Sequence, residues 1–161
     1  MTRYYYLRFL RLKGDPRSIA RGVAIGIFIG ITPTIPFHTV ALLIAAPLFR
    51  ANLIAGFTAS VAMCNPLTYF PQYYLSWLIG NYLTPRDLSW ERISSVMDIV
   101  FSDASYKTIL QSLSTLGMDT IVVLLIGGFI LAAPPAIISY FAALRFFIAL
   151  RNKKRDKHVL K

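Results

Sequence analysis

The feature of this sequence that most constrains its fold is a pair of long stretches without formal charge, each interrupted by prolines near its middle. Residues 22–49 and residues 51–83 contain no Asp, Glu, Lys or Arg. Over the whole chain of 161 residues, 56% are hydrophobic and only 15% are charged, which lies outside the usual balance of a soluble domain. The sequence therefore predicts an all-α integral membrane protein.

The basic residues are concentrated at the two ends of the chain. Of the 17 Lys and Arg, six lie in residues 1–21 and seven in residues 145–161. Basic flanks around apolar segments follow the positive-inside rule of membrane proteins, so we expect both termini on the cytoplasmic side. We expect no nucleic-acid partner, because the interior lacks the polar surface that a nucleic-acid-binding domain needs.

These ends predict two flanking segments. Residues 1–14 mix aromatic and basic side chains, as expected of a segment at the lipid headgroup surface, with an ordinary cationic tail as the alternative. Residues 151–161 form a basic tail that we expect to be disordered and cytoplasmic. Both flanks would attract membrane lipids with anionic headgroups. No small-residue cleavage site follows a short apolar core near the start, so we expect the first apolar run to be retained.

The first helix is predicted to begin at "GDPRS", with Asp15 as its cap and Pro16 in its first turn. It would continue as far as Pro33, which cannot extend a helix smoothly. Glycines at four-residue spacing would lie on one side of this helix and let another backbone approach closely. These glycines are Gly22, Gly26 and Gly30.

Each charge-free stretch is broken near the middle of the membrane. The first break is "GITPTIPFHT", residues 30–39, and the apolar run on each side is about half of a hydrocarbon core roughly 30 Å thick. The second break is "NPLTYFP", residues 65–71, and it follows a half-length run whose small residues, including Gly56, suit close packing. Arg50 separates the two stretches and would lie near an interface, where its side chain can reach the headgroups.

The rest of a single membrane domain, residues 15–150, contains further helices. Residues 88–116 have apolar residues at helical spacing, so we expect two short amphipathic helices there. Residues 120–147 form the clearest transmembrane helix, kinked by Pro134 and Pro135. The predicted fold is thus a polytopic membrane protein with two re-entrant or broken half-helix regions and a kinked last helix.

The topology has more than one solution. With both basic ends in the cytoplasm, the number of complete crossings must be even. Either one interrupted region crosses the membrane and the other folds back, or the last segment turns at its proline pair.

The two breaks are the predicted functional site. Prolines leave backbone carbonyls unpaired, and hydrocarbon cannot satisfy them, so a broken segment must be packed in protein or face a wet cavity. Paired interrupted helices are typical of a transporter's binding site, although prolines that merely shape a compact bundle are the alternative. We expect the breaks to meet at a polar pocket, with Arg50 attracting an anionic headgroup from the interface. The pocket would be lined by Thr32, Thr34, His38, Thr39, Asn65 and Thr68.

Several of these residues also have a purely structural interpretation. His38 is either a proton-responsive ligand or a capping partner for Thr34 or for a backbone carbonyl. Asn65 either contacts substrate or caps the helix that starts at Pro66. Arg50 either binds a phosphate or simply extends to the headgroups.

Catalytic chemistry is not expected in this chain. No Asp or Glu lies between Asp15 and Asp87, so the interrupted regions hold no carboxylate. The sequence has no catalytic triad, no metal-ligand spacing and no glycine-rich phosphate loop. We therefore expect a protein that is not an enzyme and that needs no cofactor or metal.

Three stretches, "GDPRSIARGVAIGIFIGITPTIPFHT", "RANLIAGF" and "NPLTYFPQYY", resemble a family of small bacterial membrane domains called domain of unknown function 2062, DUF2062. The resemblance covers residues 14–150. It rests on the proline helix start, the glycine-spaced first segment with its proline-rich turn, the Arg50 to Asn52 motif and the Asn65 to Thr68 motif. It implies a bacterial inner-membrane protein, linked to glycosyltransferase-type enzymes that act on lipid-linked sugars and hence to polyprenyl-phosphate-type lipids.

Two functions are predicted. The first is binding or translocation of a small or lipid-linked anionic substrate at the polar pocket between the interrupted helices. The alternative is a non-transporting membrane scaffold or anchor for a partner enzyme of envelope or lipid-linked glycan metabolism. In a scaffold, the glycine faces would pack helices or, in a homo-oligomer, subunits.

Overall fold

The computed structural model describes residues 15–34, 37–64, 66–84, 88–91, 93–95, 107 and 117–159. These residues include helices and no strand, which confirms the all-α prediction for the part of the chain described. The predicted segment 1–14 and most of the predicted amphipathic helices at 88–116 lie outside it. Five helices follow one another: α1 Pro16–Ile31, α2 His38–Leu48, α3 Leu53–Met63, α4 Pro66–Leu83 and α5 Gly117–Val159.

Helix α1 begins and ends where its prolines require. Pro16 occupies the first turn, where its missing N–H leaves no helical bond unmade. Asp15 is the N-cap residue, but its exposed side chain makes no capping hydrogen bond, so the predicted side-chain cap is wrong. At the other end Thr32 is extended, with ψ of 133°, because a residue that precedes a proline is pushed out of the helical conformation.

Helices α1 and α2 form a hairpin. The Ser18 hydroxyl, in the first turn of α1, donates to the Arg50 carbonyl oxygen at 3.2 Å. The Asn52 N–H in turn donates to the Ser18 carbonyl oxygen at 2.9 Å. The first interrupted region therefore starts and ends at the same end of the helix bundle.

The turn between α2 and α3 explains the Arg50 to Asn52 motif. Arg50 has a φ of 48°, the left-handed conformation that ends many helices. The N–H groups of Arg50 and of the next residue donate to α2 carbonyl oxygens at 3.1 and 2.7 Å. Asn52 then caps α3, since its Oδ1 accepts the Ala55 N–H at 3.0 Å. Only the four residues 49–52 separate the end of α2 from the start of α3.

Helix α3 lies parallel to α1, and their backbones are in close contact along the glycine face. A Cβ atom added to Gly26 would collide with the Gly56 carbonyl oxygen. Because only glycine leaves room for this approach at position 26, the contact depends on Gly26. Similar contacts occur one turn earlier and one turn later, between Gly22 and Asn52 and between Gly30 and Ser60.

A second close contact joins α4 to α5 in an antiparallel arrangement. A Cβ atom added to Gly80 would collide with the Val123 carbonyl oxygen, and one added to Gly127 would collide with the Ser76 carbonyl oxygen. Neither glycine belongs to a four-residue repeat, so the sequence pattern does not reveal this contact. It holds α4 against the first third of α5.

Helix α5 also packs antiparallel to α1. Phe147 is buried in a cluster with Ile19 and Val23 near the start of α1. Towards the other end of α1, the rings of Phe28 and Phe129 stack with their centroids 5.5 Å apart. The last turns of α5 therefore lie at the same end of the bundle as the start of α1.

Helix α5 extends beyond its predicted bounds of 120–147. It continues through Pro134 and Pro135 without a break and reaches Val159. The prediction of a disordered tail at 151–161 is therefore wrong as far as Val159. Lys and Arg have high helix propensity, and their charges are favourable at a helix C-terminus, so a basic sequence can prolong the helix.

Large apolar side chains cover much of the outer surface. On α2, Leu43, Ile44 and Leu48 have 53%, 63% and 74% of their surface exposed. Phe57 on α3 and Ile138 on α5 are also exposed. Extended apolar surface of this kind marks a membrane-contacting or partner-binding surface.

Candidate functional site

A groove with a volume of about 700 Å³ lies between the α1–α2 hairpin and α5. Its walls are almost entirely apolar. The groove exists because several of its lining side chains are small, and aromatic rings border it. The small residues are Ala24, Ala41, Ala45 and Ala136, and the aromatic ones include Phe28, Phe49, Phe129, Tyr140 and Phe141.

The groove runs from the hairpin tip, which we define as Thr32, Pro33, Thr34 and Phe37, towards the opposite end of the bundle. Thr32 and Thr34 line it at the tip, and Phe49 lines it at the end of α2. Of the predicted substrate-binding residues that the structure describes, these two threonines line the groove.

Both threonine hydroxyls at the tip are bonded to the backbone. Thr32 Oγ1 donates to the Phe28 carbonyl oxygen at 2.8 Å. Thr34 Oγ1 lies 3.3 Å from the Thr32 carbonyl oxygen and 3.4 Å from that of Ile29. The Phe28 and Thr32 carbonyl oxygens also accept backbone N–H groups, from Thr32 at 3.0 Å and from Thr34 at 2.7 Å. The Ile29 carbonyl would pair with the N–H of residue 33 in a continuous helix, but Pro33 has none. The Thr34 hydroxyl therefore replaces a backbone bond that the proline removes, and the Thr32 hydroxyl adds a second bond to the last turn.

The second break lies beside the first and is repaired in the same way. Cys64 Sγ is 3.9 Å from the Gly30 carbonyl oxygen, which brings the end of α3 next to the end of α1. Thr68 Oγ1 donates to the Met63 carbonyl oxygen at 2.6 Å. The predicted residue Asn65 lies outside the described residues.

His38 and Thr39 begin α2 close to the tip but do not line the groove. His38 Nε2 is 3.3 Å from Thr39 Oγ1, within hydrogen-bond distance. Its Nδ1 atom is buried and has no hydrogen-bond partner among the described residues. Thr39 itself is exposed.

Arginines gather at the end of the bundle opposite the hairpin tip, which we call the basic end. Two are in the first turns of α1, one follows α2 beside Ser18, and two flank Phe147 on α5. Asp15 is also at this end. The predicted ligand Arg50 is thus separated from the two breaks by the length of the hairpin. The arginines of the basic end are Arg17, Arg21, Arg50, Arg145 and Arg151.

The contribution of α5 to the groove was not predicted. Sequence reasoning treats residues 120–147 as a membrane-spanning helix and places the site at the breaks. The available signal is that Ala136 and Tyr140, and likewise Ile137 and Phe141, stand four residues apart and share one side of α5. Without knowledge of the hairpin, nothing in the sequence shows what that side faces.

Length and composition identify helices that are able to cross a membrane. Residues Asp119–Asn152 of α5 qualify alone. Leu53–Met63 and Thr68–Leu83 qualify only together, as a pair bent by 89°. The chain therefore belongs to the class of all-helical proteins that carry a helix long and apolar enough to span a membrane.

The family assignment is more specific. Residues 1–156 match the family described as "Uncharacterized protein conserved in bacteria (DUF2062)", so the chain belongs to this family. The resemblance predicted from the proline and glycine motifs is confirmed, and it extends over nearly the whole chain. No curated protein and no solved structure is significantly similar to it.

Proposed function

We propose that this chain is a multi-pass protein of the bacterial inner membrane. The α1–α2 hairpin is re-entrant, α3 and α4 together form one broken crossing, and α5 crosses back. The support for this topology is that the hairpin starts and ends at the basic end, where α5 also ends. Both termini are then cytoplasmic, and the number of complete crossings is even, as the positive-inside rule requires.

The hairpin reaches far into the membrane in this topology. A Cβ atom added to Gly128 would collide with Pro33 Cδ, which places the hairpin tip level with Gly128. From Gly128 to Arg145, α5 rises roughly 26 Å, compared with a hydrocarbon core about 30 Å thick. At such a depth unpaired backbone groups are costly, and the Thr34 hydroxyl supplies a partner to the Ile29 carbonyl oxygen, which Pro33 leaves without its helical N–H.

Within this membrane domain, the groove binds the hydrocarbon chain of a lipid or lipid-linked anionic substrate. The observation that carries this proposal is an apolar groove of about 700 Å³, a volume within the usual range of ligand sites, about 300 to 1,000 Å³. Its apolar walls suit a hydrocarbon chain better than a small polar molecule. A polyprenyl-phosphate-type lipid fits this chemistry, with an anionic head and a long apolar tail.

Lipid retention tests the proposal. The purified protein is washed in detergent until bulk lipid is removed. Native mass spectrometry then counts the lipid molecules that remain bound to each chain. We expect wild type to retain one lipid. Ala45→Trp, which fills the groove from α2, should remove it. Ala142→Trp is the matched control, because Ala142 is exposed on α5 and does not line the groove.

Two outcomes contradict the binding function. Wild type could retain no lipid, or the Ala45 and Ala142 variants could retain the same amount as wild type. In either case the groove would be ordinary lipid-facing surface, and the scaffold function would become the better explanation of the fold.

A further inference from the structure

We propose that the basic end of the groove binds the anionic phosphate headgroup of a cytoplasmic-leaflet lipid, through Arg21, Arg145 and Arg50. This inference rests on the proposed lipid-binding function and adds to it the class of headgroup and the residues that select it. In this proposal the polar part of the ligand lies at the basic end of the hairpin and not at the proline breaks.

The position of Arg21 follows from the geometry of α1. Ala24 and Ile25 line the groove, and Arg21 precedes them by three and four residues. Residues at these spacings lie on the same side of a helix, one turn apart. Arg21 is thus one turn beyond the groove lining, in the direction of the basic end.

The other two helices of the groove place an arginine at the same level. On α5, Arg145 follows the lining residue Phe141 by four residues, so it too lies one turn beyond the lining on the same side. Directly after α2, the lining residue Phe49 is followed by Arg50. An arginine therefore stands just past the groove lining on α1, on α5 and after α2.

The charge at the mouth of the groove, which we define as its end next to Arg21, Arg50 and Arg145, favours an anion. Arg50 and Arg145 are exposed, and none of the groove-lining residues is acidic. Arg21 Nε donates to the Arg17 carbonyl oxygen at 3.3 Å, so this bond uses one of the five N–H donors of the guanidinium group. Among the residues whose side chains are described, Asp15 is the acidic one at this end, beside five arginines. The apolar groove and the cationic mouth together match a lipid with an apolar chain and an anionic head.

Guanidinium groups suit this role for a chemical reason. Each offers several N–H donors in a planar fork that can bind two phosphate oxygens at once. Arginines from three separate helices can approach one phosphate from different sides. A zwitterionic headgroup also carries a positive charge, which the arginines would repel, so its binding would be weaker.

The test is a competition between two lipids with identical acyl chains, phosphatidic acid and phosphatidylcholine, supplied in equal amounts. Native mass spectrometry reports which of them the protein retains. We expect wild type to prefer phosphatidic acid by about tenfold, equivalent to about 1.4 kcal/mol. The double substitution Arg21→Gln with Arg145→Gln should reduce the preference to near equality while one lipid per chain is still retained. Lys107→Gln, which removes an exposed cation from the segment between α4 and α5, should keep the full preference.

The remaining outcomes separate the two proposals. Retention of one lipid without any preference in wild type, or an unchanged preference in the double variant, would overturn the headgroup site and leave the groove function standing. Loss of all lipid from wild type would instead overturn the groove function. Displacement of phosphatidic acid by millimolar inorganic phosphate would show a site for a soluble anion, which also contradicts a lipid headgroup site.

Discussion

The two ends of the α1–α2 hairpin use polar side chains in opposite ways. At the tip, the Thr32 and Thr34 hydroxyls bond to the carbonyls of their own backbone. At the basic end, Arg50 and Arg145 are exposed, so their charged groups are accessible to a ligand. The difference teaches that polar residues near a proline break need not form a binding site. They are first of all the partners of the backbone that the proline has disrupted.

Side-chain length explains much of this contrast. A threonine hydroxyl is attached directly to Cβ and bonds readily to a carbonyl three to five residues earlier. An arginine carries its charge at the end of a long apolar stem, which can lie along a hydrocarbon-facing helix while the guanidinium reaches the headgroups. In the proposed topology, short polar residues therefore stand where the backbone is broken, and long cationic ones stand where lipid headgroups would be.

The largest effect is expected from Gly26→Leu, which tests whether α1 is held against α3 between the two ends. The Gly56 carbonyl occupies the space that any side chain at Gly26 would need. We expect destabilisation of more than about 3 kcal/mol, or loss of the folded protein. Thermal unfolding in detergent, monitored by size-exclusion chromatography, measures this loss of stability.

The matched control for that substitution is Ala62→Leu, on the exposed surface of α3. It should leave the unfolding temperature unchanged. If Gly26→Leu were as stable as wild type, the parallel contact between α1 and α3 would be incorrect, and the two ends of the hairpin would no longer have fixed positions.

A smaller effect is expected from Thr32→Val at the tip. This change keeps the shape of the side chain and removes the hydroxyl bonded to the Phe28 carbonyl oxygen. It should destabilise the protein by about 1 kcal/mol, because the Phe28 carbonyl oxygen keeps the Thr32 N–H as a partner. The retained lipid should be unchanged, since valine keeps the apolar lining of the groove. Thr32→Ser should recover most of the stability. A loss of bound lipid at unchanged stability would mean that the Thr32 hydroxyl itself binds the ligand.

At the basic end, Arg50→Gly separates backbone conformation from charge. Glycine adopts a positive φ without steric cost, so we expect a gain in stability of about 1 kcal/mol. Because the charge is lost, the preference for phosphatidic acid should fall. Arg50→Ala should reduce the preference equally but give no gain in stability. Equal stability of the glycine and alanine variants would contradict the left-handed turn.

The smallest effect is expected from His38→Gln. His38 does not line the groove, and glutamine can retain a polar contact with Thr39. Stability should change by no more than about 0.5 kcal/mol, and one lipid per chain should still be retained. Loss of the lipid in this variant would move the binding site back to the tip.

Local features of the fold could be read from the sequence, and long-range ones could not. The start of α1 at Pro16 and its end before Pro33 follow from proline chemistry, which acts on neighbouring residues. The spacing of Gly22, Gly26 and Gly30 predicts a packing side, but not that α3 is the helix packed against it. The direction of α2 was open as well, because a half-length apolar run after a break can either continue or return.

The candidate site shows the same limit. The break in the sequence predicts Thr32 and Thr34 as site residues, and they do line the groove. It does not predict Phe129, Ala136 or Phe141, because their role depends on α5 lying antiparallel beside the hairpin. That arrangement results from contacts between residues about a hundred positions apart, such as Phe28 with Phe129, and no local pattern encodes it.

The most direct test of the central claim asks whether the α1–α2 hairpin returns to the side from which it starts. Single cysteines are introduced at the exposed positions Arg17, Arg50 and Ser89, each in a Cys64→Ala background. They are labelled in intact membranes with a membrane-impermeant maleimide applied from either side. The account predicts that positions 17 and 50 react only from the cytoplasmic side and position 89 only from the outside. Reaction of position 50 from the same side as position 89 would show that the first interrupted region crosses the membrane, and would contradict the hairpin, the basic end and the groove between them.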